Sequence, residues 1–383
     1  MTKTIPLYGV VNLPAMEMVA LDVLRSGRLA SGEFVSQFET RLSDLVGLPN
    51  VVTTIDMTSA LFLALHLAEV SEGDEVLTCA FACLSTNSAI AQCHATPVWV
   101  DFKPMTVEMD IADLESKISP RTKAVILYHV AGYPGPAREI AALCKKHNII
   151  LIEDCDNALF AARDSTLVGS HGDFAIFSFY PNRQINTAEG GALVCKNNEM
   201  ADRARKLRRF GINFNTFRGI DGEINAASDI PEIGWGITLN NLCCALGCAQ
   251  LDSVKNRYEK TTENVRKLRS LIENIEGIEP VSIIENGTPA YWVFLLFAYN
   301  RDEVISFLKS QGIMASAIHQ RNDIYSGFGV TKKIQLPNTD YLQNHIIGVP
   351  CGWWLGEQEI EQIANALVKA SSLVMADKNV NDA

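Results

Sequence analysis

Residues 151–194 constrain the fold of this 383-residue chain more than any other stretch: LIEDCDNALFAARDSTLVGSHGDFAIFSFYPNRQINTAEGGALV. The apolar run 149–152 is short enough for a buried strand and ends on the acid pair Glu153-Asp154. A second run, 174–180, ends in the turn Pro181-Asn182-Arg183, and a third starts after Gly190-Gly191. Acids and turns at the carboxyl ends of strands are where open α/β sheets keep their ligands. A carboxylate such as Asp154 at a strand end suits a cationic ring nitrogen.

The rest of the chain repeats the pattern. Strands are expected at 50–55, 74–79, 96–100 and 123–129. Helices are expected at 14–26, 35–46, from about 110 with Asp110 as cap, and at 136–147. Alternation at this short spacing predicts a largely parallel, doubly wound sheet. Residues 211–234 are rich in Gly, Asn and Asp and read as a long loop. A long helix running to about 275 leads into strands near 280–284 and 290–299, a helix at 302–311 and a closing helix at 357–375. The expected division is a large α/β domain over 1–250 and a small C-terminal domain over 251–383.

Bulk properties narrow the function. With 48% hydrophobic and 20% charged residues the chain has ordinary globular composition. The net charge of −11, without a basic block, argues against nucleic acid. No apolar run approaches the roughly 20 residues needed to span a bilayer, and MTKTIPLYGVV lacks a signal-peptide pattern. These features predict a soluble cytoplasmic protein with no membrane partner. Its ten cysteines lie mostly in apolar runs, where a thiol packs as a small hydrophobe. Cys243, Cys244 and Cys248 cluster on an apolar helix without the usual ligand loop, so packing is expected there and no metal.

The central motifs carry a resemblance. Glu153-Asp154 with Asn157, Gly172-Asp173, Ser178-Phe179 and Glu189-Gly190-Gly191 resemble the E-D-x-x-Q, G-D, S-F-x-x-x-K and G-E-G-G pattern of the DegT/DnrJ/StrS sugar aminotransferases. That resemblance implies an aspartate-aminotransferase-like fold, type I among pyridoxal phosphate (PLP) enzymes. A large, mixed, mostly parallel sheet domain is joined there to a smaller α+β domain. It implies a homodimer with sites between subunits, a nucleotide-linked keto sugar as substrate, and an amino donor such as glutamate. The usual setting is surface-polysaccharide or deoxyamino-sugar synthesis.

It also implies site residues. Asp154 faces the pyridine nitrogen, and Asn157 stands at the Gln of E-D-x-x-Q. Met57 and Thr58 fall at the phosphate-binding helix start, Ser178 is a further cofactor-binding position, and Cys83 lies against the ring. The strand-turn-helix at IDMTSAL suits phosphate through free N–H groups at a helix start, and Asp56 is the natural cap. The family has S-G-T where this chain has Asp56-Met57-Thr58. The polar residue that in many relatives reaches the neighbouring subunit's phosphate is here Gly236.

The largest departure is at Arg183, the position of the lysine that forms the Schiff base. No lysine occurs between Lys146 and Lys196. A guanidinium with pKa above about 12 neither condenses normally with an aldehyde nor acts easily as a base. PLP or pyridoxamine phosphate (PMP) is therefore expected to bind, if at all, without a covalent bond. Three readings follow: an aminotransferase-type enzyme with altered chemistry, a PMP-dependent sugar 3-dehydratase-like enzyme, or a non-catalytic homologue that binds or regulates. A replacement base is not evident; Tyr180 or His129 would serve only if the fold brought them near.

Overall fold

The computed structural model describes residues 4–381 except 274 and 330–333. In chain order the strands are β1 (Val51–Thr54), β2 (Glu75–Cys79), β3 (Thr96–Val100), β4 (Thr122–Tyr128), β5 (Ile150–Asp154), β6 (Ala162–Arg163) and β7 (Thr166–Leu167). They continue as β8 (Phe174–Ser178), β9 (Gly191–Cys195), β10 (Ile278–Pro280), β11 (Gly287–Thr288), β12 (Phe294–Ala298) and β13 (Ile346–Val349).

A seven-stranded sheet, ordered β1-β9-β8-β5-β4-β2-β3, forms the centre. Only β9 runs against the others. The strand–helix alternation therefore pointed to the right class, a mixed, mostly parallel sheet. Its strands are buried along nearly their whole length, as expected of a sheet covered on both faces. The helix Met57–Leu67 buries Ala60, Leu61, Ala64 and Leu65 against one face. The helix Glu33–Val46 places Phe38, Leu42 and Val46 in the core on β1, β8 and β9.

A smaller antiparallel sheet, β10-β12-β13, is packed by helices Arg301–Ser310 and Glu357–Asn381. Ile5 pairs with Ile313 and shares that core. The long helix expected to run to about 275 ends at Leu271, and a shorter helix precedes it. The two span Asn241–Cys248 and Leu251–Leu271. Gln250 lies buried at the break, donating to the carbonyls of Asn186 and Leu246 and accepting the Asn186 N–H. Cys244 and Cys248 pack in the core with Phe38 and Leu42, as free thiols.

Candidate active site

The carboxyl ends of β4, β5 and β8 converge with the start of β9 and with the helix Met57–Leu67. There they frame a cleft of about 380 Å³. Register fixes the convergence. Gly191 sits between Thr54 and Ser178, and Asp154 sits beside Tyr128 and Ile176. Met57, Thr58, Cys83, Ser178 and Arg183 all line the cleft. Asp154 and Asn157 do not; both are fully buried beside it.

Asp154 accepts from Thr86 Oγ1 (2.8 Å) and from the Asp156 N–H (3.0 Å). Burial pushes its carboxyl up to about 7, with the adjacent Asp156 charge adding to the effect. Asn157 is tied down through its backbone, whose carbonyl accepts from Gln184 Nε2 at 2.8 Å. Its side-chain oxygen has no partner.

Arg183 follows β8 in a tight turn closed by its N–H to the Tyr180 carbonyl (2.9 Å). Its Nε and one Nη donate to the two Asp156 oxygens at 2.6 and 2.7 Å, and the other Nη reaches the Asn182 side chain. The guanidinium lies 4.9 Å from the Trp292 ring centre. Trp292 is held by its indole N–H to the Asn182 carbonyl (3.1 Å) and stacks on Tyr8 at 4.6 Å. Burial works against the Arg183 charge, but Asp156 more than offsets it and the pKa is raised.

The opposite end is acidic. Asp56 caps the helix Met57–Leu67 through the Ser59 N–H at 2.7 Å and lines the cleft with Glu189. Burial, then the Asp56 charge, raises the Glu189 pKa. Gly191 belongs here for steric reasons: a Cβ would lie 2.6 Å from the Asp56 carbonyl carbon and 2.7 Å from the Met57 nitrogen.

Sequence reasoning missed Asp156, Tyr8, Trp292 and His319, which all line the cleft. His319 Nε2 is 3.1 Å from the Tyr128 hydroxyl. Burial brings its pKa down to about 4, so the ring is neutral at neutral pH. Asp156 carried one readable signal, since a buried arginine at a strand end calls for a carboxylate within reach. The two bases named from sequence separate. Tyr180 lines the cleft and is exposed. His129 is sealed away: its Nε2 is 3.1 Å from Glu153 and its Nδ1 accepts the Gly135 N–H. His129, Glu153 and Cys155 bring potential ligand atoms within 4.8 Å. Glu153 is saturated there by the N–H groups of Gly169, His171 and Gly172, a structural knot. Arg321 and Asp323, polar residues in a segment between periodic stretches, form a buried ion pair that does not itself line the cleft.

Solved structures place this architecture in a class. The chain is similar to the sugar aminotransferase CalS13 of Micromonospora echinospora, at 30% identity and TM-score 0.89, over 95% of this chain and 99% of that one. It is similar to AtS13 of Actinomadura melliaura at 30% identity and TM-score 0.90, over 96% and 99%. The fold is therefore that of the type I PLP enzymes. The chain itself belongs to the DegT/DnrJ/EryC1/StrS aminotransferase family, whose model matches residues 15–368. Among curated relatives, a GDP-perosamine synthase of Vibrio cholerae is 26% identical over 90% of this chain and 93% of its own. The spore coat polysaccharide biosynthesis protein SpsC of Bacillus subtilis is 26% identical over 90% and 92%. PLP and PMP are the cofactors expected in this family.

Proposed function

We propose that this chain acts on a nucleotide-linked keto sugar in surface-polysaccharide or deoxyamino-sugar synthesis. In this reading it is an altered family enzyme that holds PLP or PMP without a covalent bond. The observation that carries it is the Arg183–Asp156 pair: the side chain at the position expected for the family lysine is committed to three hydrogen bonds, two of them to Asp156. With it go two further expectations, a homodimer and a division near residue 250 into cofactor and C-terminal domains.

The residues fit a phosphate ester and not a Schiff base. Met57 and Thr58 stand in the first turn of their helix, where backbone N–H groups have no carbonyl four residues back. With the hydroxyls of Thr58 and Ser178 they form a phosphate cradle on the cleft wall. Asp56 and Glu189 set negative charge beside that cradle and weaken it. Asp154, held by Thr86, lies buried behind the cleft at the ring end, and Cys83 lies on the wall. When bound, the pyridine ring supplies an electron sink for proton removal beside the reacting carbon. Arg183 supplies a fixed cation, with guanidinium N–H groups beyond those its three bonds use.

A second reading, sugar dehydration of the 3-dehydratase type, gains from His319. Its neutral imidazole lines the cleft and is oriented by Tyr128, so an unprotonated ring nitrogen is at hand, although burial makes it a weak base.

The test is a titration with PLP and, separately, PMP, followed by absorbance and calorimetry. Binding that dialyses away, with nothing fixed at residue 183 by borohydride, is the expected result. Turnover of a keto-sugar nucleotide with glutamate, or its dehydration with PMP alone, then separates the two chemistries. Failure to bind either cofactor would remove the enzyme reading and leave a non-catalytic homologue.

A further inference from the structure

Asp156 is the ion-pair partner of Arg183. It is buried, two residues beyond Asp154, on the wall of the same cleft. An acid there without a cation would leave two carboxylates close together in a dry site, where like charges repel and neither is hydrated. An arginine at 183 without the acid would be an unpaired buried cation. Each residue makes the other tenable, so the two form one buried unit.

We propose that Asp156, not Arg183 alone, bars this chain from Schiff-base chemistry: it holds any cation at position 183 in a fixed ion pair, so that a lysine placed there stays an unreactive ammonium until Asp156 is also changed. A Schiff base forms when a neutral amine attacks the aldehyde carbon; the amine loses two protons, the carbonyl oxygen leaves as water, and a C=N bond replaces C=O. Only the unprotonated amine has the lone pair for the first step. Arg183 Nε already lies 2.6 Å from Asp156 Oδ1. A lysine Nζ sits one bond further along the same stem, so the carboxylate is within its reach. The other groups facing this position are Asp154, Tyr128, His319, Cys83 and Tyr8. Of these Asp154 is the only carboxylate, and it is occupied by Thr86 and the Asp156 N–H. Asp156 alone offers two oxygens to the 183 side chain.

This inference concerns the cofactor site assigned above, yet its first test requires no cofactor. R183K and D156N/R183K proteins are labelled with acetic anhydride across pH, and acetylation of the amine at position 183 is read by peptide mass spectrometry. In R183K that amine should titrate at or above the ordinary lysine value of about 10.4. In D156N/R183K it should become at least tenfold more reactive at pH 8. Equal reactivity in the two proteins overturns the proposal. If the double variant does not fold, R183K decides alone: titration at or above the ordinary value supports the pairing, and titration clearly below it refutes it. With PLP added, borohydride should fix cofactor at position 183 in the double variant and not in R183K. PLP bound by neither protein would count against the cofactor reading while the labelling result still decides this one.

Discussion

At the scale of single residues, two acids at the end of β5 divide the work. Asp156 is satisfied by Arg183, whereas Asp154 is buried with only a hydroxyl and one N–H for its charge. Its folded pKa of about 7 lies above the unfolded value of about 3.9. The native state therefore binds this proton more tightly than the unfolded chain. The group favours folding fully below pH 4, and that contribution is lost as pH rises toward 7. Asp154→Asn carries no charge to bury. Relative to wild type, the variant should gain stability from pH 4 to about pH 7 and level off above that, as read by thermal midpoints at each pH. A difference independent of pH would mean that Asp154 is ionised at no cost. The absence of lysine made Arg183 legible in the sequence, but its environment was not. Tyr8, Trp292 and His319 reach the cleft from distant parts of the chain, and no local spacing announces such a meeting.

At the scale of elements, the proposed phosphate site depends on the helix Met57–Leu67. Its first residues, Met57 and Thr58, line the cleft, and Asp56 both caps it and sets a negative charge beside it. Serine caps about as well as aspartate, so Asp56→Ser should alter stability by less than about 0.5 kcal/mol. Affinity for PMP should rise several-fold, measured by calorimetry at low salt, and the gain should shrink at high ionic strength. Unchanged affinity would place the phosphate elsewhere. The sequence showed this helix start and the carboxyl-end acids because strand-turn-helix units are local. It did not show the break at Ala249-Gln250, since the apolar periodicity continues through it. The bonds from buried Gln250 to Asn186 and Leu246 belong to tertiary structure.

At the scale of the molecule, one carboxylate is prominent among the ties between the C-terminal segment and the large sheet. Asp101, just after β3, accepts the Thr339 N–H and hydroxyl at 2.7 Å each, and the Asn338 N–H and side-chain amide at 3.0 and 3.2 Å. It thus caps the helix Pro337–His345 from across the fold. Nearby, Asn322 links the Asn87 side chain to the backbone at Ala80 and Ala82. These bonds place His319, which precedes Asn322 by a few residues, over the cleft. Asp101→Ala leaves buried donors without an acceptor and should cost about 2–4 kcal/mol, because hydrogen bonds to a charged group are worth more than neutral ones. Urea denaturation measures it. A single transition with a lower midpoint and unchanged slope would mean that the molecule still unfolds as one unit. Two transitions, each with a smaller slope, would mean that Asp101 is what makes the two sheets unfold together. The second outcome also predicts that ligand binding in the cleft restores one transition, because the cleft draws His319 and Trp292 from one side and Ser178 and Arg183 from the other.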